Sequence, residues 1–406
     1  MSGEFFMGTY DVRANIKVLG VGGAGGNAVN TMIERGLVGV QFLAANTDAQ
    51  ALGACLAPGK IQIGERFAGG LGVGCDPERG AKACQESIDL IQQQIQGAEM
   101  LFLAAGMGGG TGTGSLPSIA ELAHEMGILT VAVVTKPFVF EGRRKMAIAE
   151  QWIERLLSMC DSVIVVPNQR LLETYGKLPL NQAFQLANDI LLYAVQGITD
   201  IVQLSGMWNV DMEDVRTIMK GSGRALMGMG FAEGEDRAVK AAEMAITNHL
   251  IEDATVHGST GVLVNVTCNH EEMSLDDFSA AVSTVTDAAS ADAVIKAGLV
   301  TANVPNGQMR VTVIATGFDA AERPAALERE VEEARPIRRT RPSAVPVAVE
   351  VRSSSVPPAV RMRPKSDSRQ VTLPIGSGDV LDISDEVTSI PAFIQQMQVR
   401  GSGTSK

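Results

Sequence analysis

The sequence predicts an α/β protein in which a parallel-sheet domain is joined by one long central helix to a second α+β domain. Short apolar runs alternate with helically spaced segments over the first 166 residues, which is typical of a parallel, doubly wound sheet. From Asn181 to Val202 apolar residues follow helical spacing without a break. This second segment predicts a helix of about 24 residues, buried over much of its circumference between the two domains.

Two of the predicted strand-to-helix turns are unusually rich in glycine. The segment Gly106–Ser115 reads GMGGGTGTGS and follows the apolar run Met100–Ala105. Bare backbone N–H groups beside a helix N-terminus form an anion site, most often for phosphate, whereas an ordinary turn rarely needs so many glycines. The segment Gly20–Asn27 reads GVGGAGGN and, with Asp48 about twenty positions later, resembles a dinucleotide fingerprint. That second pattern alone is weak evidence.

The remaining elements follow from apolar runs and their flanking residues. We expect residues 59–80 to be irregular and residues 81–95 to form a helix. The predicted strands are Asn15–Gly20, Gln41–Asn46, Met100–Ala105, Ile128–Thr135, Ser162–Val166, Gly261–Thr267, Ala293–Ala297 and Met309–Thr316. Because ligands bind beyond the carboxyl ends of parallel strands, both glycine loops, Asp48, Glu141 and Asn168 are expected at one edge of the sheet.

Composition narrows the class of protein. The net charge is −12, which argues against a nucleic-acid-binding body, and no apolar run approaches the ~20 residues of a membrane helix. We therefore expect a soluble, cytoplasmic protein. After Phe318 the chain becomes rich in Pro, Arg, Ser and Val, which predicts a disordered linker. The expected organisation is a flexible N-terminus (1–12), the first domain (13–179), the central helix (180–204), the second domain (205–318), a basic linker (319–378) and a terminal docking peptide (379–406).

Five motifs in register carry a family resemblance. They are GGAGGN at 22–27, NTDAQ at 46–50, GGGTGTG at 108–114, FEG at 140–142 and NVDxxDV at 209–215. With them the chain resembles FtsZ, the bacterial tubulin-like division GTPases, over about residues 12–318 and again at IPAF in the tail. The resemblance implies a tubulin/FtsZ-like fold with a Rossmann-like domain that binds GTP or GDP with Mg²⁺.

The resemblance also implies a set of nucleotide-binding residues. Glycines and threonines of the two loops would hold the phosphates, Glu141 the ribose, and Asn168 and Asp189 the guanine edge, with Phe184 stacking on the base one turn from Asn188. The set comprises Gly22, Gly23, Gly25, Gly26, Asn27, Asn46, Asp48, Gly106, Gly108, Gly109, Gly110, Thr111, Gly112, Thr113, Gly114, Glu141, Lys145, Asn168, Phe184, Asn188 and Asp189. Lys145 departs from the arginine usual in the family and lacks its bidentate fork.

The acidic loop Asn209, Asp211 and Asp214 is the expected catalytic part. Asp189 and Asp211 are 22 residues apart along one helix and its end, or roughly 30 Å, so one molecule cannot bring both to one nucleotide. Without the resemblance, three such residues indicate a solvated turn that caps the next helix. With it, the loop activates water on the GTP of the neighbouring subunit, and the subunits form a head-to-tail filament.

The resemblance extends to partners and place. It implies self-assembly in the division ring at the cytoplasmic face of the membrane, which the protein contacts only indirectly. Membrane-tethering and regulatory division proteins would bind the segment Ile390, Pro391, Ala392, Phe393 and Ile394. The sequence leaves open a monovalent cation requirement and a role as a divergent or second copy. The alternatives are an FtsZ-like filament protein with weak or no hydrolysis and, more remotely, a Rossmann-type NAD oxidoreductase, which explains neither the second glycine loop nor the acidic loop.

Overall fold

The computed structural model describes residues 14–175, 179–203, 208–247, 258–269, 274–301 and 307–318. Several predictions fall outside this part of the chain. They concern the N-terminus 1–12, residues 205–207 before the acidic loop, the linker 319–378, and the docking peptide with Ile390, Pro391, Ala392, Phe393 and Ile394.

The described strands form one ten-stranded sheet in the order β3-β2-β1-β4-β5-β6-β7-β10-β8-β9. In chain order the strands are β1 (Ile16–Val21), β2 (Val40–Asn46), β3 (Gly59–Gln62), β4 (Met100–Gly106), β5 (Leu129–Lys136), β6 (Ser162–Pro167), β7 (Gly223–Glu233), β8 (Gly261–Cys268), β9 (Val294–Thr301) and β10 (Gln308–Thr316). The first six strands pair in parallel, which confirms the predicted doubly wound half. In the second half, β10 pairs antiparallel with β7 and β8, while β8 and β9 are parallel.

Twelve α-helices surround this sheet in the described part of the chain. They are α1 (Gly22–Glu34), α2 (Ala49–Ala54), α3 (Glu65–Ala68), α4 (Pro77–Glu86), α5 (Ile88–Ile95), α6 (Thr111–Glu125), α7 (Arg143–Leu157), α8 (Asn168–Tyr175), α9 (Leu180–Gln203), α10 (Met212–Met219), α11 (Arg237–Thr247) and α12 (Leu275–Ala288). The predicted helix over 81–95 is two helices, α4 and α5, which meet at Ser87.

Two strands were not expected from the sequence. Strand β3 lies in the segment predicted to be irregular, and β7 carries three glycines that obscure its apolar pattern. Two of those glycines have a packing role, because a Cβ at Gly228 would overlap the Ala245 carbonyl oxygen and one at Gly230 the Ala241 carbonyl oxygen, both on α11. Strand β7 also pairs in parallel with β6, so the sheet continues from the first predicted domain into the second.

The long central helix is confirmed as α9, with 24 residues. It begins at Leu180, as predicted, and the Ala183 N–H donates to the Pro179 carbonyl. Asn181, whose side chain suits an N-cap, therefore lies inside the helix and does not cap it. Its buried residues surround the axis, and it contacts α1, β5 and β6 as well as β8 and β9. The helix thus packs against both halves of the sheet.

Each half of the sheet has its own apolar core. The first includes residues of β1, β4, β5 and α6, and the second includes residues of β8, β10, α11 and α12. Among the described helices, none combines the length and apolar character needed to cross a bilayer.

Candidate functional site

The two glycine loops meet at the carboxyl ends of β1 and β4. Strand β1 enters α1 at Gly22, whose φ of +73° suits glycine. A Cβ on Gly22 would lie 2.9 Å from the amide nitrogen of Gly112, so the backbones of the two loops are in direct contact. No side chain of the described residues hydrogen-bonds to the first turn of α1 or of α6 as a cap. Both helices therefore direct free N–H groups and positive dipole ends toward the same place.

The glycine stretch after β4 is partly loop and partly helix. Helix α6 begins at Thr111, so Gly112, Thr113 and Gly114 form its first turn. A Cβ at Gly114 would overlap the Pro77 carbonyl, and glycine there allows α4 to pack on α6. Thr113 is fully buried, and its hydroxyl has no hydrogen-bond partner among the described residues. Gly114 therefore lies against α4, and donation from the Thr113 hydroxyl to phosphate stays a prediction.

A cavity of about 280 Å³ opens above this junction. The predicted nucleotide residues that line it are Gly22, Gly23, Gly106, Gly109, Gly110, Thr111, Gly112, Glu141, Lys145, Asn168, Phe184 and Asn188. Gly25 and Gly108 do not line the cavity. A Cβ at Gly25 would overlap the Ala104 carbonyl on β4, and one at Gly108 would lie 2.7 Å from the Lys145 carbonyl, so both glycines permit close backbone packing.

One end of the cavity is aromatic. Phe184, Asn188 and Leu191 lie on one face of α9, at spacings of four and three residues, and all three line the cavity. The Phe184 ring is 42% exposed and contacts Phe138 edge-on, with 5.3 Å between ring centroids. A half-exposed aromatic ring on a cavity wall is a stacking surface for a flat base, and it is not part of the core.

Asn168 places an unsatisfied acceptor at the same end. The side chain is 5% exposed, and its Oδ1 has no hydrogen-bond partner among the described residues. A buried acceptor without a partner costs about 1–3 kcal/mol. A ligand that donates a hydrogen bond from its edge would remove this cost, and a purine N–H is such a donor.

Glu141 and Lys145 form the polar rim. Glu141 Oε1 accepts from the Phe138 N–H at 2.9 Å, and Oε2 is 3.2 Å from Lys145 Nζ. The carboxylate is thus held by a backbone donor and by a charged one. These two bonds fix the orientation of the carboxylate. Its remaining lone pairs can therefore accept hydrogen bonds from ribose hydroxyls in a defined direction.

Asp189 does not line the cavity. It is 5% exposed, and its Oδ1 lies 3.4 Å from both Arg35 Nη2 and Gln185 Nε2. Burial raises the pKa of this carboxyl, while Arg35 acts in the opposite direction. Arg35 was not predicted; the two residues are 154 positions apart, and no local motif indicates the pair.

A second cavity of about 220 Å³ shares Gly22 and Gly23 with the first. Gly26, Asn27 and Asn46 line this neighbouring cavity. Asp48 lines neither cavity. Its carboxylate accepts from the N–H groups of Gln50 and Ala51 and caps α2, and a contact of Asp48 with the nucleotide stays a prediction.

The acidic loop lies at the other end of the molecule's central helix. Asn209 and Asp211 are exposed, while Val210 between them is buried. Asp211 caps α10, since its Oδ1 accepts from the Asp214 N–H at 2.7 Å. Asp214 Oδ1 is 2.6 Å from Nζ of Lys296 on β9. Lys296, 82 residues further on, is a second partner that no sequence pattern predicted.

The two regions are far apart in one chain. Lys296 ties the acidic loop to β9, which lies six strands away from β4 and the glycine cavity. Neighbouring strands are about 4.8 Å apart, so the separation is roughly 29 Å. Helix α9 alone extends twelve residues beyond the cavity residue Leu191, or about 18 Å, and the acidic loop lies further along the chain than its end.

Comparisons with known proteins identify the family of the chain. A family model described as "Tubulin/FtsZ family, GTPase domain" matches residues 15–176, and one described as "FtsZ family, C-terminal domain" matches residues 223–319. The chain is 48% identical over 307 residues to "Cell division protein FtsZ" of Coxiella burnetii, covering 75% of this chain and 79% of that protein.

Solved structures show the same likeness. The structure titled "FtsZ dimer, empty (M. jannaschii)" matches with a TM-score of 0.72 and 37% identity over 76% of this chain and 89% of that one. CetZ2 from Haloferax volcanii, at 21% identity and a TM-score of 0.62 over 79% of this chain and 97% of that one, shares the fold. Because both family models match in order and the Coxiella relative is 48% identical, the chain belongs to the FtsZ family of tubulin-like cell-division GTPases.

Proposed function

We propose that this chain assembles head to tail into filaments of the division ring and hydrolyses GTP at the contact between subunits. The observation that carries the proposal is the separation of roughly 29 Å between the glycine cavity and the acidic loop of one chain. A carboxylate that orients or deprotonates water must lie within about 3 Å of it. The acidic loop of one subunit therefore serves the nucleotide of the next.

The cavity residues divide the nucleotide between them. Backbone N–H groups at Gly109–Gly112 and Gly22–Gly23 bind the phosphates, Glu141 and Lys145 the ribose side, and Phe184 the base face. Asn168 supplies an acceptor to the base edge. Asp189 contacts the base edge only when its bonds to Arg35 and Gln185 rearrange. Its carboxylate would then accept from two N–H groups of guanine, which adenine does not offer, and so favour GTP over ATP.

A metal ion would be bound mainly by the phosphates of the nucleotide. Mg²⁺ binds nucleotides chiefly through phosphate oxygens and water, with one or two protein ligands, and it neutralises charge in the transition state. The Thr111 hydroxyl, hydrogen-bonded to that of Thr47 at 2.6 Å, is the side-chain oxygen best placed for it on the cavity wall. A monovalent cation at the acidic loop is compatible with the three polar residues there.

Asp211 and Asp214 would then act on the attacking water, with Asn209 completing the polar loop. That contact joins two different faces of the chain, so it is heterologous and extends into a filament unless it closes. We place these filaments in the cytoplasm at the division site. Division proteins that tether the filament to the membrane would bind through Ile390, Pro391, Ala392, Phe393 and Ile394.

The test is sedimentation with GTP, GDP or NAD, combined with phosphate release over a range of protein concentrations. We expect phosphate release per subunit to rise cooperatively with concentration and in step with pelleting in GTP. Pelleting without phosphate release would instead identify a filament protein with weak or no hydrolysis. Binding of NAD alone would identify an oxidoreductase, and turnover per subunit that is independent of concentration would refute the assembly requirement.

A further inference from the structure

The acidic side chains that begin α10 have separate partners. Asp211 caps the helix, and Glu213 pairs with Arg216 of the same helix at 3.4 Å. Asp214 alone is bound to a different element, since its Oδ1 lies 2.6 Å from Lys296 Nζ on β9. Its backbone N–H is fixed as well, by donation to Asp211. Both ends of Asp214 are therefore held.

Lys296 is anchored in the sheet. It lies in the interior of β9, in register with Leu263 of β8. The backbone contact between Leu299 N and the Trp208 carbonyl, at 2.9 Å, fixes the start of the acidic loop to the same strand. Strand β9 therefore holds the loop at two points, one through backbone and one through the lysine.

The ion pair contributes little to stability by itself. The two side chains are 36% and 32% exposed, and pairs this open contribute at most about 1 kcal/mol to folding. The effect of the ion pair lies instead in how it orients the Asp214 carboxylate. A charge-assisted bond to one carboxylate oxygen fixes the rotation of the group and leaves the second oxygen as an acceptor for water.

We propose that Lys296 is a positioning residue for hydrolysis, which orients the Asp214 carboxylate toward the water that attacks GTP on the next subunit. The inference rests on the proposed function, because it gives Asp214 its role at the subunit contact. Lys296 itself acts through Asp214. Its removal should lower turnover within filaments and leave GTP affinity and the assembly threshold unchanged.

The experiment compares Lys296→Met, Lys296→Arg and Asp214→Asn in the full chain, with Lys240→Met as a control. Lys240 lies on α11 and its ammonium donates to the Glu235 carbonyl, away from the loop. Phosphate release is divided by the pelleted amount at each concentration. We expect Lys296→Met to lower this ratio about tenfold or more, because small misplacements of catalytic groups have large kinetic costs. Lys296→Arg should restore most of it, and Lys240→Met should match the parent chain.

A double-mutant cycle separates positioning from a structural role. In the Asp214→Asn background, Lys296→Met should produce no further loss, because the carboxylate that it orients is gone. An unchanged ratio in Lys296→Met, or a fall in phosphate release that only follows reduced pelleting, would overturn the proposal. If Asp214→Asn also retained parental turnover per pelleted subunit, the proposed function itself would fail, and the two failures are thereby distinguished.

Discussion

The glycine cavity and the acidic loop are built in opposite ways. The cavity is made of backbone: two helix starts without side-chain caps meet where a Cβ at Gly22, Gly25 or Gly114 would collide with neighbouring main chain. The acidic loop is made of exposed and half-exposed side chains, of which Asp211 accepts from the N–H of Asp214 and Asp214 pairs with the ammonium of Lys296 on β9. The cavity is formed within one chain, and the acidic loop of that chain lies roughly 29 Å away from it.

The largest effect should come from removing an acid of the loop. We expect Asp211→Ala to bind GTP and to assemble, but to lose about 10²- to 10⁴-fold in turnover, the usual contribution of a positioned general base. Asp211 also caps α10, so part of any effect could come from the helix. Asp211→Ser keeps a good capping side chain and removes the carboxylate, and we expect it to lose turnover to a similar extent.

The matched control is Ser274→Ala. It removes the N-cap of α12, whose hydroxyl accepts from the Asp277 N–H, and leaves the acidic loop intact. Its turnover per pelleted subunit should equal that of the parent chain, measured by phosphate release and sedimentation. Parental turnover in Asp211→Ser, with loss only in Asp211→Ala, would show that the loop merely caps α10.

Helix α9, which connects the two regions, should give the protein a pH-dependent stability. Burial raises the pKa of Asp200 to about 6, against the pull of Arg310 at 3.4 Å. Because the folded chain holds this proton more tightly than the unfolded chain, the free energy of unfolding should fall as pH rises from 4 to 6, by up to about 3 kcal/mol. Urea unfolding of the parent chain and of Asp200→Asn across this range checks the prediction, and an identical slope in both would contradict it.

Backbone packing behind the cavity should be intolerant of a single methyl group. Alanine is about 1 kcal/mol better than glycine in a helix, yet at Gly114 its Cβ would overlap Pro77, and overpacking of this kind costs about 2 kcal/mol. We therefore expect Gly114→Ala to lower the free energy of unfolding. At Gly109 a Cβ meets nothing within 4 Å, so Gly109→Ala should leave stability within about 0.5 kcal/mol. Equal unfolding midpoints for the two variants would contradict this account of the cavity.

The smallest effect concerns the base end of the cavity. Base–aromatic stacking contributes about 1–3 kcal/mol, so Phe184→Ala should weaken GTP binding about tenfold. Phe140 stacks on Phe138 at 5.0 Å but does not line the cavity, and Phe140→Ala is the control. Equilibrium titration with GTP and GDP measures both. Equal affinities in the two variants would remove the stacking role of Phe184.

Local patterns predicted much of this molecule. The first six strands except β3, the full length of α9 and the meeting of two glycine loops all follow from apolar spacing and from glycine's freedom beside helix starts. Strand β7 was missed because Gly228 and Gly230 interrupt its apolar pattern. Both are glycine because α11 packs closely against them, and no local pattern shows that contact. For the same reason the glycines of the second loop could not be sorted in advance into those that face the ligand and those, such as Gly114, that face α4.

The polar partners could not be predicted. Arg35 meets Asp189, and Lys296 meets Asp214, only because the sheet brings together residues 154 and 82 positions apart. Asp48 shows the converse. Its spacing from the first glycine loop resembles a dinucleotide fingerprint, and the structure adds that its carboxylate accepts from the Gln50 N–H and caps α2.

The central claim is that the glycine cavity of one subunit and the acidic loop of the next form one active site. It can be tested by mixing two variants that we expect to be silent, Asp211→Ala, which keeps the cavity, and Gly109→Val, which keeps the loop and adds a branched side chain to the cavity lining. Each heterologous contact pairs the cavity of one subunit with the loop of the next. In a random equal mixture half of the cavities and half of the loops are intact, so about a quarter of the contacts join an intact cavity to an intact loop. We predict that co-pelleted mixtures recover about that fraction of parental phosphate release, whereas each variant alone stays silent. Mixed filaments that co-pellet yet release no phosphate would contradict the shared site.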